Sequence, residues 1–532
     1  MVCSEAAGQL QRFVAGDKPT MVDFFAGGGG GSLGGKQGGF DVIAALNHNQ
    51  TCIDTHRFNF QGVRHVRADI FKASPKLLPT ARVGWFSPSC VFFSIARGGR
   101  PCNEQERAHA EQMPRFCFAL NLEVVYVENV REYRDWGPLT EKRDKQGNIV
   151  RVWNEETQEW DVPLVPDKAR KGEYYRRWLR AMQEMGYTNY EYRLLNAADY
   201  GAPQSRLRYF SIFTRGEMPI VWPEPTHDEF GRNGLPRWRG AGEVLQLQQR
   251  GRSIFNRTRT SKKRGTRPDP LADNTLRRIH QGLQREVARA VGKKSAGWGV
   301  PWRQVDRASL RLALHVEQVI YQNNGTRAND SEARSVRSLR RPALAVLSNG
   351  GNQFLMTYYR KGGFRHMDEP AATVTTKDRI AKVAFLFAHQ FTNAPRGLDL
   401  PARTVLASRR HPYLAQVSCE GVSKLLPQPG DSAVMLALKA FCLECGITDV
   451  FMRMLTVDEL KLLMGFPADY HLLGTVTEQK KMLGNAVVPA VAAALARAMG
   501  PVLERWRGKR LPKLRRGVVH RWEQGDIFLQ AA

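Results

Sequence analysis

The chain is poor in cysteine. Its 8 thiols are scattered over 532 residues, which excludes a disulfide framework and leaves each one as packing, metal ligand or nucleophile. It is also short of acid: 51 Asp and Glu stand against 79 Lys and Arg, a net charge of +28, so a polycationic partner is excluded and a polyanionic one favoured. Nucleic acid comes first, because each Lys or Arg set near a phosphate releases counterions, and an anionic membrane surface second. A clean apolar run is missing as well. The most apolar stretch, Ala486 to Leu503, is interrupted by Pro489 and Arg497 and falls short of the ~20 residues needed to cross a bilayer. Met1 to Phe13 has no basic region followed by an apolar run, so it does not read as a signal peptide. These absences lead to the expectation of a cytoplasmic, intracellular protein.

What is present suits a large folded protein. Hydrophobic residues make up 42% of the chain, with 11 Trp and 25 Phe to pack, and the length favours two or three domains over one. The first 215 residues alternate short β-rich runs with amphipathic stretches, the pattern of an α/β domain on a largely parallel sheet. The predicted strands are Met21 to Phe25, Val42 to Leu46, Val83 to Phe86, Val124 to Glu128, Glu191 to Leu195 and Arg208 to Phe213. Open sheets of this kind place ligands at the carboxyl ends of their strands.

Gly231 to Val300 holds 17 Lys or Arg against 4 Asp or Glu, nearly half of the excess charge, and is read either as a solvated basic linker or as an arm on a nucleic-acid backbone. Farther on, Pro370-Ala-Ala-Thr-Val is echoed by Pro401-Ala-Arg-Thr-Val, each after an acidic residue, Asp368 or Asp399. Two β-rich units fit a small separate domain. After Phe451 the pattern turns helical, with an Ala-rich helix over Ala486 to Met499 and a basic tail over Arg505 to Arg521.

Three short segments carry chemistry. The first predicted strand runs into Ala26-Gly27-Gly28-Gly29-Gly30-Gly31, a loop without side chains that lets a ligand approach the backbone; it suits a dinucleotide, a nucleoside or simply a tight turn. No Gly-Lys-Ser/Thr ending follows, which argues against a triphosphate-gripping loop. Asn47 can hydrogen-bond ribose hydroxyls, and Asp69 can accept from an adenine amino group or cap a turn. The second segment is Ser87-Pro88-Ser89-Cys90, a thiol just past a strand end, with Arg97 and Arg100 nearby to favour the thiolate. The third is Val124 to Glu128, a strand ending in a carboxylate at the same sheet edge. A thiolate adding to one carbon of a ring while an acid holds a ring nitrogen suits a pyrimidine.

With these residues the sequence resembles the DNA cytosine-5 methyltransferase family, and within it a phage-like branch. The resemblance rests on order: Asp23-Phe-Phe-Ala-Gly-Gly-Gly-Gly30, Pro88-Ser-Cys90 with Ser94, Glu128-Asn-Val130, Gln204-Ser-Arg206-Leu-Arg208, Arg453-Met-Leu-Thr456 through Gly465-Phe-Pro467, and Gly484-Asn485-Ala-Val487. Three positions depart from the family pattern. Ser89 and Val91 stand where Pro and Gln are usual around the thiol, and Asn47 replaces the usual acid.

The resemblance implies a Rossmann-like, S-adenosylmethionine-dependent domain over 18–216, completed by 451–500, and a β-rich target-recognition region over 217–450 that includes the basic segment 231–300 and the part 349–417. A basic tail, 501–532, follows. It implies transfer of methyl to C5 of a flipped cytosine in duplex DNA through a covalent adduct with Cys90, assisted by Glu128, Arg206 and Arg208. Cofactor contacts are expected from Phe25, Gly27, Gly29, Gly30, Asn47, Asp69, Pro88, Asn485 and Val487. DNA contacts are expected from Ser94, Arg97, Gln204, Arg257, Arg259, Lys262, Lys263 and Arg264.

A metal is not expected, since Cys442 and Cys445 lie at i and i+3 on an apolar stretch and read as helix packing. The protein is expected to be a monomer. A restriction endonuclease partner and the recognition sequence are left open. The competing readings are an exocyclic amino methyltransferase, disfavoured by Cys90; an RNA cytosine-5 methyltransferase; and a DNA-binding homologue with impaired catalysis, suggested by Val91 and Asn47.

Overall fold

The computed structural model describes residues 18–89, 108–154, 158–255, 257–261, 265–290, 384–387, 396–397, 401–403, 413–418, 425–444 and 447–517. They fall into two compact units, one within Met1–Trp238 and Leu460–Ala532, the other within Arg239–Glu459.

The first unit is built on seven strands: β1 (Thr20–Phe24), β2 (Asp41–Asn47), β3 (Arg64–Arg67), β4 (Val83–Phe86), β5 (Val124–Asn129), β6 (Asn189–Asn196) and β7 (Leu207–Thr214). Their spatial order is β6-β7-β5-β4-β1-β2-β3. The five strands from β1 to β5 are mutually parallel, whereas β7 runs antiparallel between β5 and β6. All six strands read from the sequence are present; β3, only four residues long and half polar, gave no apolar run to see.

Alternation along β1 and β4 sends side chains to two different layers. On one face Phe24 stacks on Phe86 with ring centroids 4.1 Å apart, over Phe116 and Met113. On the other, Asp23 and Trp85 point toward α1 (Gly30–Gln37) and α8 (Pro489–Arg505), and Trp85 stacks on Tyr126 at 5.1 Å. Further α-helices among the described residues are α2 (Gln50–Asn59), α3 (Met113–Ala119), α4 (Glu173–Met185), α5 (Asp273–Ala290), α6 (Ala433–Glu444) and α7 (Val476–Asn485), with a short unnumbered one over Val457–Leu463.

Helix α1 is poor in helix-forming residues, yet the positions it sets against α8 are bare glycine. A Cβ on Gly34 would lie 2.4 Å from Ala492 Cβ and 2.5 Å from the Pro489 carbonyl oxygen; one on Gly38 would lie 2.3 Å from Ala496 Cβ. The glycine stripe therefore lets α1 lie directly on the alanine face of α8. Val476–Arg505 is apolar enough to span a bilayer by composition, but 78% of its most apolar window is buried inside the fold.

In the second unit β8 (Arg252–Ser253), β9 (Ala384–Phe387), β10 (Arg396–Gly397), β11 (Tyr413–Ser418) and β12 (Asp449–Met454) form an antiparallel sheet ordered β8-β12-β11-β9-β10. Leu276, Ile279 and Leu283 of α5 pack with Val434, Leu438, Phe441 and Cys442 of α6. Cys442 is thus a core residue, while Cys445 lies outside the described residues. Helix α5, hidden in sequence by its charge, is amphipathic with those three residues on one side. Within the basic segment, Thr258–Ser261 pairs antiparallel with Gly265–Pro268. The first copy of the 31-residue repeat lies outside the described residues, and of the second only Pro401 to Arg403 is described.

Close packing of α1 on α8 makes a direct prediction. Gly34→Ala, although favourable for helix propensity, should destabilise the protein by about 1–3 kcal/mol through overpacking, read as a lower urea midpoint; unchanged stability would contradict the contact.

Candidate active site

The carboxyl end of β1 is strained. Phe25 has φ 59°, a left-handed conformation that non-glycine residues rarely adopt, and Gly27 and Gly29 follow at φ 54° and 88°. Gly29 caps α1 without any side-chain hydrogen bond, while the Ser32 amide in the first turn is bonded to Asp23. The turn is locked from below: a Cβ on Gly30 would sit 2.1 Å from the Val487 carbonyl oxygen, and the Tyr470 hydroxyl donates to the Gly28 carbonyl at 2.6 Å. First and last sequence blocks are thereby one structural piece. Val487 is buried, whereas Asn485 is exposed beside it.

Asn47 ends β2, buried, with Oδ1 accepting from the Asn49 amide at 2.9 Å. Asp69 accepts from the Phe71 amide at 3.0 Å, so it serves as a turn cap while staying half-exposed. Between Phe25 and Phe71 lies His109, at ring-centroid distances of 5.6 and 5.3 Å. Burial keeps that imidazole below its ordinary pKa, against the pull of Asp69. Sequence reading did not single out His109, because a lone histidine after a loop carries no motif.

At the end of β5 the strand register does the positioning. Glu128 stands opposite Phe210 on β7, and Arg208, two residues away on the same face, is its diagonal neighbour. Arg208 Nε lies 3.5 Å from Glu128 Oε1, with both side chains nearly buried. Burial raises the Glu128 pKa, opposed by Arg208 and then Arg206. A carboxyl held this way is pushed toward its protonated form, the form that can donate to a ring nitrogen. Asn129, fully buried, donates from Nδ2 to the Pro88 carbonyl at 3.0 Å, tying the acid's strand to the segment that leads into Cys90.

Two expected contacts take different roles. Arg206 is buried and donates to the carbonyls of Gly484 and Ala486, each at 3.1 Å, so its guanidinium holds the last sequence block. Gln204, expected on DNA, is fully buried, with Nε2 on the Leu463 carbonyl at 3.2 Å; it ties in the return segment. Similarly, Arg453 forms a double-bonded ion pair with buried Glu459, both contacts at 2.7 Å, and Glu459 also accepts from the Thr456 amide. The penultimate block is a structural clamp.

Arg257 lies 3.8 Å from Asp269. Arg259 lies within Thr258–Ser261. Cys90, Ser94, Arg97, Lys262, Lys263 and Arg264 lie outside the described residues.

A strained glycine turn on β1, polar termini on β2 and β5, and an antiparallel β7 closing a parallel sheet define the class: a Rossmann-like methyltransferase domain. The family model described as C-5 cytosine-specific DNA methylase matches residues 19–136, 167–341 and 352–501, and the chain belongs to that family. Among curated relatives, Type II methyltransferase M.XorII of Xanthomonas oryzae pv. oryzae is 27% identical over 219 residues, covering 39% of this chain and 44% of the relative. M.AquIA of Picosynechococcus sp. is 26% identical over 223 residues, 39% and 76% of the two chains. M1.HphI of Haemophilus parahaemolyticus is 27% identical over 222 residues, 40% and 51%. The chain spans about half the length of the first and third.

Removing the Asn129 tie should be visible apart from catalysis. Asn129→Ala leaves the Pro88 carbonyl without this donor, and a loss of about 1–3 kcal/mol in urea unfolding is expected. Stability equal to wild type would show that the bond does not hold the segment.

Proposed function

We propose that the protein transfers a methyl group from S-adenosylmethionine to C5 of cytosine in a specific duplex DNA sequence, through a covalent adduct between Cys90 and the flipped base. One observation carries this reading. The buried Glu128–Arg208 pair lies at the strand edge that Asn129 ties to Pro88, two residues before the thiol. An acid and a nucleophile directed to one edge are what a cytosine ring requires.

The cofactor fits the residues present. The turn from Gly27 to Gly30 is bare of side chains, Gly30 admits no Cβ, and the capless helix terminus suits the cofactor's carboxylate. Asn47 would hold ribose hydroxyls, while Asp69 and Phe25 would contact adenine. Gly27, Gly29, Pro88, Asn485 and Val487 would complete the cleft. When bound, the cofactor supplies an electrophilic methyl group.

The chain's own groups prepare the base. The Cys90 thiolate adds to C6, and the resulting charge on the ring is met by a proton shared between Glu128 and N3, which makes C5 nucleophilic. Arg208 keeps the Glu128 proton mobile by opposing the burial that would fix it there. Loss of the C5 proton then allows the Cys90–C6 bond to break and restores the thiolate. Ser94, Arg97, Arg257, Arg259, Lys262, Lys263 and Arg264 would meet phosphates. The protein would act as a monomer, inside the cell on its DNA.

Duplex DNA containing 5-fluorocytosine, incubated with S-adenosylmethionine, should trap a denaturation-resistant adduct, because fluorine blocks loss of the C5 substituent. No adduct, or one that persists in Cys90→Ala, would refute the mechanism. A competition assay against tRNA decides between DNA and RNA. Glu128→Gln should lower kcat by about 10²–10⁴ with cofactor affinity retained; an unchanged kcat would remove Glu128 from the reaction.

A further inference from the structure

Beneath the glycine turn, four side chains from four elements form one hydrogen-bonded line. Ser32 Oγ on α1 lies 2.7 Å from Asp23 Oδ2 on β1, His56 Nε2 on α2 lies 2.8 Å from Ser32 Oγ, and His65 Nε2 on β3 lies 2.8 Å from His56 Nδ1. Asp23, Ser32 and His56 are fully buried, whereas His65 is half-buried and forms the outer end. The line touches the turn twice. A Cβ on Gly31 would lie 3.1 Å from Asp23 Oδ2, and one on Gly29 would lie 3.3 Å from His56 Cδ2.

A buried carboxyl and imidazole are costly unless their partners satisfy them, and here every link of the line is at hydrogen-bond distance. Burial pushes Asp23 up to about 7, opposed by hydrogen bonds from the Ser32 side chain and backbone. Burial likewise pushes His56 down to about 3, with His65 adding to the fall. His65 is lowered by burial and then by Arg57 on α2, and raised by a hydrogen bond to the Val63 backbone. Tyr470 also faces Asp23, its hydroxyl committed to the Gly28 carbonyl. His56 is thus neutral near pH 7, with one proton on either ring nitrogen.

That leaves two arrangements of the line. With Asp23 protonated, its proton points to Ser32, the Ser32 hydroxyl to His56 Nε2, and the His56 Nδ1 proton to His65 Nε2. With Asp23 ionised, every bond is reversed. We propose that Asp23, Ser32, His56 and His65 form a proton relay under the cofactor turn, through which binding of a sulfonium-bearing ligand ionises Asp23 and releases one proton at His65.

The transfer balances. Asp23 gives its proton to Ser32, Ser32 gives its own to His56 Nε2, His56 passes its Nδ1 proton to His65 Nε2, and His65 loses one proton from Nδ1 to solvent. The carboxylate left behind is a countercharge for the cation. When the ligand's sulfur is a neutral thioether, Asp23 takes the proton back, so the relay discriminates cofactor from spent product. The inference rests on the cofactor reading above.

Calorimetric affinities of the unmodified full-length protein for S-adenosylmethionine and S-adenosylhomocysteine, from about pH 6 to about pH 8, test it. Because the proton is bound below about 7 and must leave for the cation to bind, the preference for S-adenosylmethionine should fall as pH falls, by up to about tenfold per unit. Asp23→Asn should make the preference independent of pH; should that variant not fold, Ser32→Ala, which cuts the line, should lose the same dependence.

Nitrogen-15 NMR of labelled histidine should show the His56 proton on Nδ1 in the free protein and on Nε2 with S-adenosylmethionine bound. A pH-independent preference in the wild type, or a His56 proton on the same nitrogen in both states, overturns the relay. Failure of either molecule to bind at any pH removes the cofactor reading, and the relay with it.

Discussion

The site depends on how closely two backbones approach. The Val487 carbonyl occupies the space where a Cβ on Gly30 would be, and the Pro489 carbonyl does the same at Gly34. Only glycine permits this approach, because any side chain would separate α1 from α8 by more than an atomic radius. The contact joins residues more than 450 positions apart, so the first strand's turn cannot form in its final shape until the last helix has docked. Strain at Phe25 is maintained in the same way, by packing around it rather than by its own preference.

On this frame, buried charge is handled in three ways. Glu128 has Arg208 close by, a partner that softens its desolvation without a tight bidentate pair. Arg206 is satisfied by main-chain carbonyls, which orient it while leaving its charge to act on Glu128 from a distance. Asp23 is met by the hydroxyl and the backbone amide of Ser32, both neutral, so burial raises its pKa to about 7. The first two arrangements lie around the end of β5, the third beneath the glycine turn. A single sheet thus keeps a buried acid near the ends of the two strands, β1 and β5, that flank β4.

Parts of this were legible beforehand because the pattern is local. The runs Val42 to Leu46 and Val124 to Glu128 are apolar enough to be buried strands, and β3 escaped notice because Arg64, His65 and Arg67 interrupt it. The diagonal placement of Arg208 on Glu128 follows from strand alternation once β7 is known to pair antiparallel with β5. Nothing local distinguishes Arg206 from Arg208, however, since both lie in one motif. Their roles diverge because one falls where β7 meets β5 and the other where the chain turns toward Gly484. Gln204 misled for the same reason: a polar residue in a functional motif reads as a ligand contact until its amide is seen on the Leu463 carbonyl.

By itself the amino-acid sequence determined the α/β class, the glycine turn, the order of the functional blocks and the presence of a thiol and an acid suited to a pyrimidine, all properties carried by neighbouring residues or by their succession. Tertiary structure alone decided which polar groups face one another. The line from Asp23 to His65, the tie between Asn129 and Pro88, and the carbonyls around Arg206 each connect separate elements. Distance along a chain says nothing about such meetings, because hydrogen bonds and desolvation depend on separations of a few ångströms that only the packed fold sets.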